Sequence, residues 1–133
     1  MLYLDANFFI FALLDRTDRG LKARIIQRKI AEGKMEAAVT SSLALDEVMW
    51  VLIKNKKDYL LRIAIEGIYS IPNIDVIEVS STVPIIALEF FERYGLKPRD
   101  SFHLAIMKEN GIDKIVTDDK DFDKVETISR VEF

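Results

Sequence analysis

Residues 114–123 read KIVTDDKDFD, in which a short apolar run is followed at once by a cluster of aspartates. These four carboxylates, within six positions of one another, repel at neutral pH unless solvent or a cation separates them. The apolar run LYL at residues 2–4 likewise ends on an acid, Asp5. Both runs are typical of short buried strands, so the relative position of the two strands decides whether their acids meet.

Helical and extended patterns alternate along the rest of the chain. Helical spacing of apolar residues, the C-terminal stops Gly33 and Gly95, and Pro98 in a first turn mark the helices. We expect helices after Asp5 through Leu14 and at 18–32, 42–54, 57–70, 82–94 and 98–109, and strands at 2–4, 35–39, 74–79, 114–117 and 129–133.

Strands separated by helices predict a parallel sheet with helices on both faces. In such sheets, ligands bind beyond the carboxyl ends of the strands. Asp5 and the cluster that begins at Asp118 are therefore expected to share one edge of the sheet.

Composition limits the class of protein. With 133 residues, half of them hydrophobic, we expect one soluble domain spanning residues 1–133. The net charge of -3 excludes a global basic field, so a polyanion must be held locally or through a metal. The absence of cysteine excludes disulfides and thiolate ligands and suits a cytoplasmic protein. The N-terminus has no basic region, and Asp5 interrupts its apolar stretch, so we expect neither a signal peptide nor a membrane anchor.

Three other acids each have an ordinary explanation when taken alone. Asp46 and Glu47 are the only charges in the central part of the predicted helix 42–54. Helical spacing does not distinguish them, and either one is able to face solvent and pair with a nearby lysine. Asp100 falls in the first turn of the last predicted helix, where the helix dipole favours a carboxylate.

Taken together, the acids favour a metal site. They follow two strands, interrupt an apolar helix and begin another helix. Oxygen ligands without cysteine or paired histidine suit Mg²⁺ or Mn²⁺ and not Zn²⁺. Such a cation typically acts on phosphate esters, because it polarises a phosphoryl oxygen and activates water.

Four segments resemble, in order, the four motifs of the PIN-domain ribonucleases. They are LYLDANFFI (2–10), TSSLALDEVMWVL (40–52), LKPRDSFHLAIMKENG (96–111) and KIVTDDKDFDKV (114–125). The resemblance extends over essentially the whole chain, and the length is similar to that of VapC-type toxins of toxin–antitoxin pairs. It implies an α/β fold, a PIN-like three-layer α/β/α sandwich with a central parallel sheet.

The resemblance also implies which residues form the site. The catalytic and metal-binding candidates are Asp5, Glu47, Asp100 and Asp119, with Asp121 as a further metal ligand. Motif register favours Glu47 over Asp46. Asn7 and Ser41 match polar positions that support the site, whereas Asp118 and Asp123 are expected to be solvated.

By the same resemblance, the expected activity is a Mg²⁺- or Mn²⁺-dependent endoribonuclease. The expected partners are RNA, a second copy of the chain in a homodimer, and a small antitoxin protein. A housekeeping RNA-processing nuclease and a non-catalytic binding protein with the same fold remain open alternatives. A calcium-binding EF-hand loop is excluded, because Lys124 stands where glycine is needed and Arg130 where glutamate is needed.

Three residues outside the acidic set carry separate expectations. His103, the single histidine, is expected to pack or to hydrogen-bond and not to act as a base. Trp50 is expected in the core or in a dimer interface. Arg99, beside Asp100, is the basic residue best placed to contact a phosphate.

Overall fold

Five parallel strands form the centre of the molecule in this computed structural model, which describes all residues, 1–133. The strands are β1 (Leu2–Leu4), β2 (Ala38–Ser41), β3 (Ile74–Ile77), β4 (Lys114–Val116) and β5 (Ser129–Val131). The helices are α1 (Ala6–Leu14), α2 (Asp18–Ala31), α3 (Ser42–Lys54), α4 (Leu61–Tyr69), α5 (Val83–Tyr94) and α6 (Pro98–Glu109). Two short 3-10 helices cover Asp58–Leu60 and Lys120–Lys124. The α/β class and the parallel sheet are therefore as expected.

The strand order is β3-β2-β1-β4-β5, with β1 at the centre. From β1 the chain first builds one half of the sheet and then crosses to β4, so the order reverses between β1 and β4. Leu4 pairs with Val116, which places the following residues, Asp5 and Thr117, side by side where the chain leaves the sheet. This reversal is where open α/β sheets bind ligands.

Side chains of β1 alternate between the two faces of the sheet, as the period of a strand requires. Leu2 and Leu4 belong to an apolar cluster that includes residues of α1, α2, α3 and α4. Tyr3 belongs to a second cluster, with residues of α5 and α6. Helices therefore cover both faces, which gives the expected three-layer sandwich.

Strand β2 lies three residues later than its predicted start, at Ala38–Ser41 and not at 35–39. Its pairing with β1, Leu2 opposite Ala38, sets this position. Thr40 and Ser41 are polar but buried, because the Thr40 hydroxyl donates to the Leu4 carbonyl (2.7 Å) and Ser41 accepts from the Ala44 amide (3.2 Å). The apolar run MEAAV was thus a misleading signal for this strand.

The other predicted elements are present with small differences at their ends. The helix predicted at 57–70 begins as a 3-10 turn before α4, and strands β3, β4 and β5 end earlier than predicted. Helices α3 and α6 have the predicted bounds, with Pro98 in the first turn of α6. Gly95 ends α5 in the left-handed conformation (φ 66°), which glycine adopts without strain.

Trp50 is not in the core of this chain, since 53% of it is exposed on α3. No helix has the length and apolar character needed to span a bilayer.

Candidate metal centre at the carboxyl edge of the sheet

The fold brings the predicted acids to the edge where β1 and β4 end. Asp5 follows β1 and Asp119 follows β4 at the start of the 3-10 turn. Asp100 lies in the first turn of α6, and Glu47 lies in the middle of α3. Asp121 lies within the 3-10 turn itself. The acids therefore come from four separate parts of the chain.

Three of these acids form a tight group. Asp100, Asp119 and Asp121 each contribute one carboxylate oxygen to a set whose members lie within 4.8 Å of one another. The Asp119 carboxylate accepts a hydrogen bond from the Asp121 amide (2.9 Å), which turns the chain back toward the site. Partial burial raises the pKa of Asp100, and the neighbouring Asp119 carboxylate adds to the rise. A bound cation would relieve this repulsion.

Asp5 is buried where the chain leaves β1, and both of its oxygens are hydrogen-bonded. One oxygen accepts from the Phe8 amide (3.1 Å) and thereby caps α1, and the other accepts from the Thr117 hydroxyl (2.5 Å). Burial nevertheless raises the pKa of Asp5 to about 7, and Glu47 contributes in the same direction. These hydrogen bonds and His103 limit the rise.

Thr117 links Asp5 to the group of Asp100, Asp119 and Asp121, which we call the open group. Its hydroxyl donates to Asp5, and the same oxygen accepts from the Asp119 amide (3.1 Å). One buried side chain therefore fixes the acid after β1 relative to the acid after β4. In the sequence, Thr117 served only to set the motif register, and its hydroxyl gave no sign of this contact.

Glu47, and not Asp46, faces the site. Asp46 is exposed, whereas the Glu47 side chain is only 19% exposed and its carboxylate is hydrogen-bonded to Nε2 of His103. His103 is buried, and its Nδ1 lies 2.6 Å from the Tyr3 hydroxyl. The expectation that His103 packs and hydrogen-bonds is confirmed.

Comparison with known proteins gives the family. The PIN domain family profile matches residues 2–128. The chain belongs to the PIN domain family. No curated protein sequence matches it significantly.

Solved structures share the PIN fold at low sequence identity. VapC20 of Mycobacterium tuberculosis, described as a sarcin-ricin loop cleaving toxin, has a TM-score of 0.76 at 19% identity, covering 95% of each chain. VapBC2 of Rickettsia felis, bound to a promoter DNA fragment, has a TM-score of 0.75 at 19% identity, covering 99% of this chain and 98% of that one. DNA-bound VapBC of Salmonella typhimurium has a TM-score of 0.71 at 19% identity, covering 98% and 96%.

The ligand chemistry of this PIN domain suits a hard divalent cation. Every candidate ligand is a carboxylate oxygen, and no cysteine is present. Mg²⁺ and Mn²⁺ prefer such oxygen ligands. Asp100, Asp119 and Asp121 could hold such an ion, and Glu47 lies near enough to Asp100 to contribute to its raised pKa.

Asp118 departs from its expected role. The sequence interpretation treated it as solvated, but its side chain is only 21% exposed. One oxygen lies 3.5 Å from the Arg19 guanidinium, and the other is buried without a hydrogen-bond partner. Asp118 packs against α2 because residues 117 and 119 both turn toward Asp5 and α6. Asp123 is exposed as expected, but it forms an ion pair with Arg130 (2.8 Å), which lowers its pKa.

The supporting polar positions differ in their surroundings. Ser41 is buried, and its hydroxyl lies 2.8 Å from the Tyr3 hydroxyl, whereas Asn7 is exposed on the first turn of α1. Arg99 is exposed next to Asp100, where a phosphate would be accessible to it. Tyr3 is the residue that sequence reasoning missed, because a tyrosine within an apolar strand carries no signal about what its hydroxyl contacts.

Proposed function

We propose that this PIN domain is a Mg²⁺- or Mn²⁺-dependent endoribonuclease and the toxin of a toxin–antitoxin pair, acting in the cytoplasm. The observation that carries the proposal is the convergence of three carboxylate oxygens, from Asp100, Asp119 and Asp121, within 4.8 Å. A cation bound among these carboxylates would relieve their mutual repulsion.

The acidic residues have different roles in the proposed reaction. Asp100, Asp119 and Asp121 would hold the cation, with Asp5 after β1 and Glu47 on α3 as further acids of the proposed site. When bound, the cation supplies Lewis-acid polarisation of the phosphodiester and a lower pKa for an attacking water. The expected products are a 5′-phosphate and a 3′-hydroxyl.

Basic side chains at the edge offer contacts for RNA phosphates. Arg99 is exposed next to Asp100, and Arg19, whose side chain is half exposed, lies at the start of α2 beside Asp118. Because the net charge is -3, substrate attraction depends on such local contacts and on the metal. Phosphate contacts position a nucleic acid without reading its sequence.

RNA cleavage with end-group analysis tests the activity. Purified protein incubated with RNA and Mn²⁺ is expected to leave 5′-phosphate ends, and addition of EDTA is expected to stop cleavage. Asp5→Asn keeps one amide oxygen able to accept from Phe8 and should fold, yet it is expected to lose cleavage. Cleavage that persists in EDTA, or products with cyclic phosphate ends, would contradict the proposed chemistry.

An apolar groove supports an antitoxin partner. The groove, about 180 Å³, is lined mainly by side chains of α1 and α4: Phe9, Ala12, Leu13, Ile63, Ala64, Ile68. A toxin–antitoxin complex from Klebsiella pneumoniae contains a chain of the same fold, with a TM-score of 0.67 at 19% identity. Co-expression with the product of a short reading frame immediately upstream is expected to yield a complex that does not cleave RNA. A fully active complex would contradict the assignment as a toxin.

Exposed apolar side chains support a homodimer. On α3, Met49, Trp50 and Ile53 are exposed, and on α5, Ile85, Leu88 and Phe91 form a stripe at spacing i, i+3, i+6. Such a surface is typical of interaction sites. Light scattering of the purified chain is expected to give twice the mass of 15.3 kDa, and a monomer at high concentration would contradict it.

A further inference from the structure

A buried chain of hydrogen bonds runs from the start of α3 to Glu47. The Tyr3 hydroxyl lies 2.8 Å from Oγ of Ser41 and 2.6 Å from Nδ1 of His103, and Nε2 of His103 is hydrogen-bonded to Oε1 of Glu47. Ser41 and Tyr3 are completely buried, and His103 is 2% exposed. Residues of three elements, β2, β1 and α6, are therefore linked in series to Glu47, which lies on a fourth element, α3.

The hydrogen bonds have one consistent direction when Glu47 is a carboxylate and His103 is a neutral imidazole. A carboxylate only accepts, so Nε2 of His103 carries the hydrogen, and Nδ1 is then free to accept from the Tyr3 hydroxyl. The Tyr3 oxygen in turn accepts from the Ser41 hydroxyl, and the Ser41 oxygen accepts from the Ala44 amide (3.2 Å). The hydroxyls of Ser41 and Tyr3 and both ring nitrogens of His103 therefore all have hydrogen-bond partners.

Burial of these polar groups removes them from water, which is unfavourable, and an apolar side chain would fill the same space without this desolvation. Tyr3 lies between Leu2 and Leu4 in a fully buried strand, where phenylalanine would fill nearly the same volume without a hydroxyl. A buried hydroxyl without a partner destabilises a protein, so the hydroxyl is tolerated here through its two contacts.

Glu47 needs such support more than the aspartates do. Its side chain has an additional rotatable bond, and ordering a glutamate costs up to about 2 kcal/mol of conformational entropy. Asp5 and Asp119 are held by backbone amides of the turns they begin, but the only hydrogen bond that restrains the Glu47 carboxylate comes from His103. His103 lies one turn after Asp100 on α6, so both face the same edge.

We propose that Ser41, Tyr3 and His103 are positioning residues, which hold the Glu47 carboxylate in place for the divalent cation. The inference rests on the proposed metal-dependent function. None of the three touches the RNA in this account, and their effect on catalysis passes through Glu47.

Calorimetric titration of Mn²⁺ into Tyr3→Phe tests the proposal. The variant keeps the buried ring but removes the hydroxyl, and Mn²⁺ affinity is expected to fall about 10-fold, as is typical when the support of a ligand is lost. The matched control is Tyr94→Phe, which removes a hydroxyl that donates to Glu126 (3.3 Å) and does not belong to the contacts around Glu47. Its Mn²⁺ affinity is expected to equal that of the wild type.

Nitrogen-15 NMR reads the histidine directly, because His103 is the only histidine in the chain. The metal-free wild type is expected to show hydrogen on Nε2 and a hydrogen-bonded Nδ1. In Tyr3→Phe the Nδ1 resonance is expected to move to the position of a free acceptor. Hydrogen on Nδ1 in the wild type, or an Nδ1 resonance that Tyr3→Phe leaves unchanged, would overturn the proposed chain of contacts.

Substitution of His103 itself adds a rescue test. His103→Gln retains an N–H donor for Glu47, whereas His103→Leu does not, so Mn²⁺ affinity and kcat are expected to be higher in the glutamine variant at similar KM for RNA. Wild-type Mn²⁺ affinity in both Tyr3→Phe and His103→Leu would overturn the positioning role while leaving the proposed nuclease intact. Absence of Mn²⁺ binding and RNA cleavage by the wild type would instead contradict the nuclease, and the inference with it.

Discussion

The two halves of the acidic edge are built differently. Asp5 accepts hydrogen bonds from the Phe8 amide and the Thr117 hydroxyl, and Glu47 is hydrogen-bonded to His103. Asp100 and Asp121, in contrast, lie close to other carboxylates. Asp121 has one cationic neighbour, Lys124, at 3.8 Å, and Asp100 forms no ion pair.

The difference indicates which half depends on a ligand. Hydrogen bonds fix the positions of Asp5 and Glu47, the buried half, before any cation binds. The open half consists of the carboxylates of the open group, whose mutual repulsion the neighbouring side chains do not neutralise. In the proposed function, the fold preorganises one part of the site and a cation would complete the other. Removing one acid from each half should have different consequences for stability and for activity.

The largest expected effect separates Asp119 from its neighbour Asp118. Asp119→Asn removes a carboxylate of the open group and should lower single-turnover RNA cleavage roughly 1000-fold, since a metal contributes several kcal/mol to such a reaction. Asp118→Asn, whose side chain packs toward Arg19, should remain within a few-fold of the wild type. An inactive Asp118→Asn beside an active Asp119→Asn would show that the motif register lies one residue earlier.

The buried half should make the free energy of unfolding depend on pH, through Asp5. The pKa of Asp5 is about 7 in the folded protein and near its ordinary 3.8 when unfolded. The folded state therefore binds the proton more tightly, and the stabilisation present at low pH is lost as the pH rises toward 7. Metal-free protein is expected to lose on the order of 3 kcal/mol of unfolding free energy between pH 5 and pH 8 from this residue.

Urea unfolding in EDTA at the two pH values measures this loss. Asp5→Asn has no carboxyl to ionise and should show a smaller difference between pH 5 and pH 8. Equal pH dependence in the wild type and the variant would contradict the assignment of the effect to Asp5.

Cation binding should stabilise the open half. Mn²⁺ at about 100 times its Kd is expected to add about 2.7 kcal/mol to the folded state and to raise Tm by several degrees. Asp121→Asn should reduce this rise, and Asp123→Asn, outside the three-carboxylate group, should not. The same rise in all three proteins would place the cation elsewhere.

The smallest expected effect concerns the ion pair outside the site. Asp123→Asn removes a contact to Arg130 that is largely exposed on the aspartate side, and it should lower stability only slightly, without changing RNA cleavage. Thermal unfolding beside a cleavage assay measures both quantities. A loss of cleavage at unchanged stability would bring Asp123 into the site.

Local signals in the sequence were sufficient for much of the fold. Helix α6 begins at a proline, and α5 ends at a left-handed glycine, so their bounds follow from neighbouring residues alone. Strand β2 was displaced because Thr40 and Ser41 are buried by contacts with β1 and α3, which no local pattern reveals.

The acids were identified by motif, and the contacts between them were not predictable. Helical spacing treats Asp46 and Glu47 alike, and only His103, 56 positions away from Glu47, distinguishes them in the fold. The hydroxyls of Tyr3 and Thr117 matter for the same reason, because each bonds a residue about 100 or more positions distant. Tertiary contacts, and not residue type, decide these roles.

RNA cleavage by folded Asp100→Asn in the presence of Mn²⁺ measures whether the reaction depends on this carboxylate. The substitution removes one carboxylate of the open group while keeping its shape, and circular dichroism establishes that the fold is retained. Cleavage is expected to be lost, and Mn²⁺ is expected no longer to raise Tm as it does in the wild type. Full RNA-cleaving activity in the folded variant would contradict the proposed function.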